Sequence, residues 1–60
     1  MKIVMTDKQA IKLAILSRRT DEGIDLETWT NDGLGLGDDW ITGEYCGMTM
    51  GIGPEGDSHT

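Results

Sequence analysis

Two side chains in this 60-residue chain carry the reactivity that nucleophilic or metal chemistry asks for. They are the thiol of Cys46 and the imidazole of His59, each the only one of its kind. A thiolate–imidazole pair needs its members within hydrogen-bond reach, which here requires the C-terminal tail to fold back onto a β-prone segment. A tetrahedral zinc site draws four ligands, mostly from Cys and His, and no second Cys or His is present. Cys46 therefore reads as a small buried hydrophobe, and His59 as a solvated tail residue. Carboxylates for acid–base work can be drawn from any two of the ten acids after Arg19, so their presence specifies no reaction.

Two longer patterns have the letters of known sites but not the context. Gly51-Ile52-Gly53-Pro54-Glu55-Gly56 spells a dinucleotide fingerprint. That motif works because a helix opening after the glycines holds the pyrophosphate at its N-terminus. Only four residues follow Gly56, and Pro54-Glu55-Gly56 reads as a turn, so no cofactor is expected. An EF-hand loop with Gly33 at its sixth position would run from Thr28 to Asp39. It would have Thr28 and Thr30 at positions one and three and lack the closing Glu, so that register fails as a calcium site. Weak adventitious binding of divalent cations by clustered carboxylates is all it leaves.

The distribution of charge is more telling than any motif. Residues 1–19 hold all five basic side chains (Lys2, Lys8, Lys12, Arg18, Arg19) against the single acid Asp7, a net of +4. Residues 20–60 hold ten acids and no Lys or Arg, a net of −10, and the two parts sum to the formal −6. Such asymmetry points to an electrostatic role. A nucleic-acid binder is basic on its contact face, so direct binding of nucleic acid is not expected. Net charge can serve solubility alone. Yet 41 consecutive residues without a base impose self-repulsion on a small fold, which favours a functional field.

Length bounds the rest. A chain of this size buries about 60% of the surface its unfolded form exposes, and its stability is on the order of 3–9 kcal/mol. An enclosed catalytic cleft would consume much of that core, so a binding protein is expected rather than an enzyme. One cysteine permits no internal disulfide and suits a reducing compartment. No apolar run approaches the roughly 20 residues of a membrane span. The N-terminus lacks the apolar stretch and cleavage site of a signal peptide. A cytoplasmic protein without a membrane partner is the expectation.

The elements follow from local chemistry. Lys2-Ile3-Val4-Met5 is a short β-favouring run, and Thr6-Asp7-Lys8-Gln9 is an N-terminal capping box. A helix is predicted over residues 7–19. Its basic stripe Lys8, Lys12 and Arg19 should face solvent or the acidic sheet, with Ala10, Leu13 and Ala14 packed inward. Alternation over Ile24 to Thr30 predicts a half-buried strand with Ile24 and Leu26 on one face and Asp25 and Glu27 on the other. Asn31-Asp32-Gly33 is a turn signal. Trp40 to Cys46 and Met48 to Ile52 are two further strands, with bulges or tight turns expected at Gly43, Gly47 and Gly51. The expected fold class is α+β, one N-terminal helix packed on an antiparallel sheet of three or four strands. It would be a single domain over residues 1–56, with 57–60 a flexible tail.

Trp29 and Trp40 read first as core anchors. The alternation also places Trp29 beside Asp25 and Glu27, where it would be a contact hot spot. The candidate partner-binding residues are thus Asp21, Glu22, Asp25, Glu27, Trp29, Asp32, Asp38, Asp39 and Glu44. Alternate carboxylates along one strand sit about 6.6–6.8 Å apart. Duplex DNA presents about one negative charge per 1.7 Å of axis, so such a row competes for Lys/Arg grooves by charge density.

In size, acidity and lack of a catalytic signature, across Asp21 to Asp57 above all, the chain resembles the small phage-encoded inhibitors, anti-CRISPR proteins among them. Several of that group act as nucleic-acid mimics. They share neither one fold nor one set of functional residues. The resemblance implies a protein inhibitor working in the host cytoplasm. Its partner would be a host nucleic-acid-handling complex with a basic groove, a CRISPR surveillance complex first among them. The alternative is an adaptor or homo-oligomeric module that docks through a sheet edge or a Met48/Met50/Ile52 face. Its methionines would suit adaptable contacts. Either reading allows a monomer or a homodimer.

Overall fold

The structure, a computed structural model, describes residues 3–31 and 33–59. It contains a helix α1 (Asp7–Arg18), a 3-10 helix (Leu26–Thr28) and four strands: β1 (Thr30–Asn31), β2 (Ile41–Tyr45), β3 (Met48–Ile52) and β4 (Ser58–His59). The strands form an antiparallel meander in the order β1-β2-β3-β4, which makes the fold α+β.

The capping box starts α1 as its letters predict. The Gln9 amide N–H donates to Thr6 Oγ1 (3.2 Å), and Gln9 Oε1 accepts from the Thr6 N–H (2.7 Å). The buried side of the helix differs from the expected one. It is Gln9, Leu13 and Leu16, whereas Ala10 and Ala14 are exposed. Apolar residues almost encircle this helix, so periodicity does not choose a face. Packing does, because Leu16 removes more apolar area from water than either alanine. Lys8 and Arg19 are exposed and Lys12 is half-buried.

The strand predicted over 24–30 is replaced, apart from its last residue Thr30, by the 3-10 helix. Asp25 Oδ1 accepts from the Glu27 N–H (3.0 Å), the Thr28 hydroxyl donates to the Asp25 carbonyl (2.8 Å), and the Trp29 N–H donates to the Leu26 carbonyl (3.1 Å). Short polar side chains offer the backbone local partners that compete with a sheet ladder, and here they win. Leu26 is half exposed, at 50%, while Ile24 packs on the core.

Trp29 is fully buried with Leu13, Leu16, Ile41, Met50 and Ile52, so it belongs to the core and offers no surface to a partner. Its indole lies flat on the backbone of Gly43, filling the space where a Cβ would stand. Gly43 is therefore not a bulge. It pairs regularly with Met50, as Gly51 does with Thr42. Gly51 faces the opposite side of the sheet, where Leu34, Trp40 and Thr42 close over it. Both glycines make room for large side chains. Gly47 does sit in a tight turn: with Cys46 it forms the two-residue β2–β3 loop, and both residues have positive φ (52° and 79°), as a type I′ turn requires. Cys46 is exposed at that tip, not buried.

Met50 and Ile52 face the core while Met48 is 58% exposed, so the three do not form an open docking face. No strand forms at Ile3–Met5. Instead the Asn31 side chain acts as a strand neighbour to Val4, accepting from its N–H (3.1 Å) and donating to its carbonyl (2.8 Å). Lys2 lies outside the described residues. The chain does not end in a loose tail at 57. The Gly53 N–H donates to the Asp57 carbonyl (2.7 Å), turning the backbone so that Ser58 pairs with Ile52 and His59 with Gly51. Among the described residues no helix is long and apolar enough to cross a membrane.

Two contacts align the helix with the sheet. Gln9 Nε2 donates to the carbonyls of Asp39 (2.7 Å) and Ile52 (3.0 Å), while the Tyr45 hydroxyl donates to the Leu16 carbonyl (2.9 Å). The residues around the start of β2 thus sit at the first turn of α1, and the end of β2 sits at its last. Burial, with a smaller push from the neighbouring Cys46, raises the pKa of Tyr45 above 10.0. The raised value means that the protonated form is favoured by folding. Its contribution is complete below the unfolded pKa and is lost as pH rises through the folded one. Tyr45 is the sole tyrosine, so phenolate absorbance reports it alone. Titration of the folded protein should give a midpoint above that of the urea-unfolded chain. Equal midpoints would mean that the Tyr45 phenol is not withdrawn from water in solution as it is in this structure.

Candidate partner-binding surface

The acids predicted to bind a partner do not form one row. Asp21 and Glu22 follow the C-terminal end of α1, and Asp25 and Glu27 stand on the 3-10 helix. Glu44 is on the outer face of β2, opposite Thr49. Asp38 and Asp39 lie by the first turn of α1, where Gln9 holds the Asp39 carbonyl and the Asn31 amide donates to that of Asp38 (3.3 Å). Asp32 lies outside the described residues.

Asp25 and Glu27 are consequently not alternate carboxylates of a strand. One caps the 3-10 helix and the other points out from it. What survives from the predicted surface is exposure. Asp21, Glu22, Asp25, Glu27, Asp38, Asp39 and Glu44 are all exposed. Among the described residues one ion pair forms, Lys8 with Glu55 (2.6 Å), both well exposed. Their hydrogen bond and mutual charge lower the pKa of Glu55 and raise that of Lys8. The pair stays charged from the acid range up to the lysine range, and solvent screening keeps its contribution small.

No reactive constellation accompanies the acids. Among the described residues no three of His, Cys, Asp and Glu stand close enough to hold a metal ion. His59 is exposed on β4 with its ring edge-on to Trp40, 6.4 Å between centroids. Cys46 lies in the β2–β3 turn and His59 on strand β4.

The sequence reading missed an apolar side. Ile11 is 60% exposed and Ile15 42%. With Lys8, Lys12, Glu55 and Gly56 they line a shallow hollow, and on another side of α1 an open groove of about 270 Å³ is lined by Met5, Ala10, Leu13, Ala14, Ser17, Ile24 and Leu26. The signal was present in the near-continuous apolar run Ala10 to Leu16, of which one helix face alone can be buried. Compared with known proteins, the chain matches no family model, no curated protein and no solved structure.

Like charges held on so small a body repel, and screening weakens that repulsion beyond a Debye length of about 8–10 Å. The melting midpoint should therefore rise between about 20 mM and about 500 mM sodium chloride. A midpoint that is unchanged or lower in the stronger salt would show that the acids do not strain the fold.

Proposed function

We propose that this chain is a small inhibitor whose acidic surface occupies a basic, nucleic-acid-binding groove on a protein partner. Binding, not catalysis, is the activity. The observation that carries the reading is the pattern of uncompensated charge. After Arg19 there is no base, every described acid is exposed, and Glu55 alone of them is ion-paired. Asp21, Glu22, Asp25, Glu27 and Glu44, all exposed, make the principal contact, and Asp38 and Asp39 make a second one. Lysines and arginines that otherwise hold phosphates would be engaged by these carboxylates. Opposite charges speed the encounter, and the gain falls steeply with ionic strength. The target class is a host nucleic-acid-handling complex, with a CRISPR surveillance complex the first to try.

The test begins with capture from a host lysate at low and high salt, the salt-sensitive partner being identified by mass spectrometry. Charge reversal of Asp21, Glu22, Glu27 and Glu44 to Lys should then abolish binding, while reversal of Asp57, outside either group, should do little. Asp25 is left intact because it caps the 3-10 helix. A folded quadruple variant that still displaces DNA or RNA from the partner would overturn the proposal.

A second reading, an adaptor that docks through apolar surface, is favoured by the exposed Ile11 and Ile15 and by the open groove on another side of α1. The Met48/Met50/Ile52 face no longer supports it, since two of its three members are core. Salt separates the two readings: apolar docking persists, or strengthens, where electrostatic docking fails.

A further inference from the structure

The side of α1 that faces away from the sheet is ordered in a way that neither the core nor the acidic surface explains. Its outermost line is Asp7, Ile11, Ala14 and Arg18, all exposed. These positions are i, i+4, i+7 and i+11, so they form one stripe along the helix. The order along it is acid, large apolar, small apolar, base. Reading the stripe backwards exchanges acid for base and large for small at the same spacings.

We infer that this stripe is a self-complementary interface, and that its occupant is the same stripe of a second copy, antiparallel across a two-fold axis passing between Lys12 and Leu13. In that arrangement Asp7 meets Arg18 of the other copy, and Ile11 packs on the other copy's Ala14. Both contacts then occur twice, as an isologous interface demands. The large-to-small match lets the two helices approach closely, as ridges entering grooves do. The helix dipoles oppose one another, which is favourable. Asp7 and Arg18 are free for this role, because among the described residues the one ion pair is Lys8 with Glu55. Ile15 and the aliphatic stems of Lys8 and Lys12 border the contact on one side and extend its apolar area. A partner of unrelated sequence would have no reason to match the reversed order of these four residues.

The helix is only about 18 Å long, so the interface falls below the size of a stable complex. The expected dimer is weak, with a dissociation constant on the order of 10–100 μM. None of the acids assigned to the inhibitory surface takes part, so the two contacts fail independently.

Analytical ultracentrifugation of the full chain, from about 10 μM to about 1 mM, spans that range. Wild type should move from monomer to dimer. Asp7→Arg alone places two bases at each end contact, and Arg18→Asp alone places two acids there, so each variant should self-associate about tenfold more weakly. Mixed in equal amounts, the two restore an opposite-charge pair at both ends and should dimerise as wild type does. Ile11→Asp, at a position exposed in the protomer, should abolish dimerisation while leaving the circular dichroism spectrum unchanged. Three results would each overturn the inference: a monomeric wild type at the highest concentration, single charge variants that dimerise normally, or a mixture that associates no better than its components. If either charge variant proves unfolded, the Ile11→Asp comparison decides, and undiminished association then refutes the interface.

Discussion

Replacing Gly43 with alanine should cost this protein a large share of its stability. The substitution adds one methyl group, and the space it needs is already filled by the indole of Trp29. Trp29 cannot move aside cheaply, being fully buried among Leu13, Leu16, Ile41, Met50 and Ile52. Its backbone is held as well, by the hydrogen bond from its N–H to the Leu26 carbonyl. The alanine must displace either the ring or strand β2, which is paired on both sides. Overpacking of this kind costs about 1–3 kcal/mol and occasionally more. A position with no room to relax belongs at the top of that range. The chain as a whole has on the order of 3–9 kcal/mol of stability. Urea denaturation followed by tryptophan fluorescence measures the loss directly. Glu44→Ala, one residue along on the exposed face, is the control and should change stability by less than about 0.5 kcal/mol. Should Gly43→Ala behave like that control, Trp29 does not pack on Gly43, and the core arrangement described here is wrong.

The same pair of residues shows where sequence reading succeeds and where it stops. The helix was legible because its start is written in four adjacent residues, Thr6 to Gln9, whose hydrogen bonds are local. Strands β2 and β3 were legible as β-prone runs on either side of Gly47, but the turn between them takes in Cys46 as well. What failed depended on contacts between segments distant along the chain. Glycine within a strand suggests a bulge, yet Gly43 and Gly51 stay in register because Trp29 and Trp40 close over them from opposite sides of the sheet. Nothing near either glycine announces that.

The Ile24 to Thr30 alternation misled for a different reason. Asp25 and Thr28 have local partners for the backbone, and their competition with a ladder is decided by tertiary packing. The consequence reached the candidate site. The row of carboxylates expected on that strand did not form, because Asp25 and Glu27 stand on a 3-10 helix. Exposure was foreseeable from composition, since ionised acids are almost never buried unpaired. Their arrangement was not.

Gln9→Glu should be at least as damaging as the alanine at Gly43, and its effect should depend on pH. Gln9 is 1% exposed, and its amide joins three parts of the fold. Oε1 accepts from the Thr6 N–H, while Nε2 donates to the carbonyls of Asp39 and Ile52. A carboxylate of the same shape keeps the first bond and turns the other two into repulsions between oxygen atoms. It also brings an unpaired charge into the core, where breaking a buried polar network costs about 3–5 kcal/mol. Burial and the facing carbonyls both raise the pKa of the introduced carboxyl in the folded state above the unfolded value of about 4.3. The sign follows from linkage. Below the unfolded pKa the carboxyl is neutral in both states, and its hydroxyl can donate to one of the two carbonyls. As pH rises from there to the folded pKa, the unfolded state releases the proton more readily, and stability falls. Relative to wild type at each pH, the variant should therefore be closest to normal near pH 4 and most destabilised near neutrality. Gln9→Met separates this from simple loss of bonding. It leaves the Asp39 and Ile52 carbonyls unsatisfied at about 1–3 kcal/mol each, with no charge to titrate. Thermal melts of both variants against wild type between about pH 4 and about pH 8 compare the two directly. A penalty for Gln9→Glu that is flat across that range would mean that the position 9 side chain reaches solvent and does not tie α1 to the sheet.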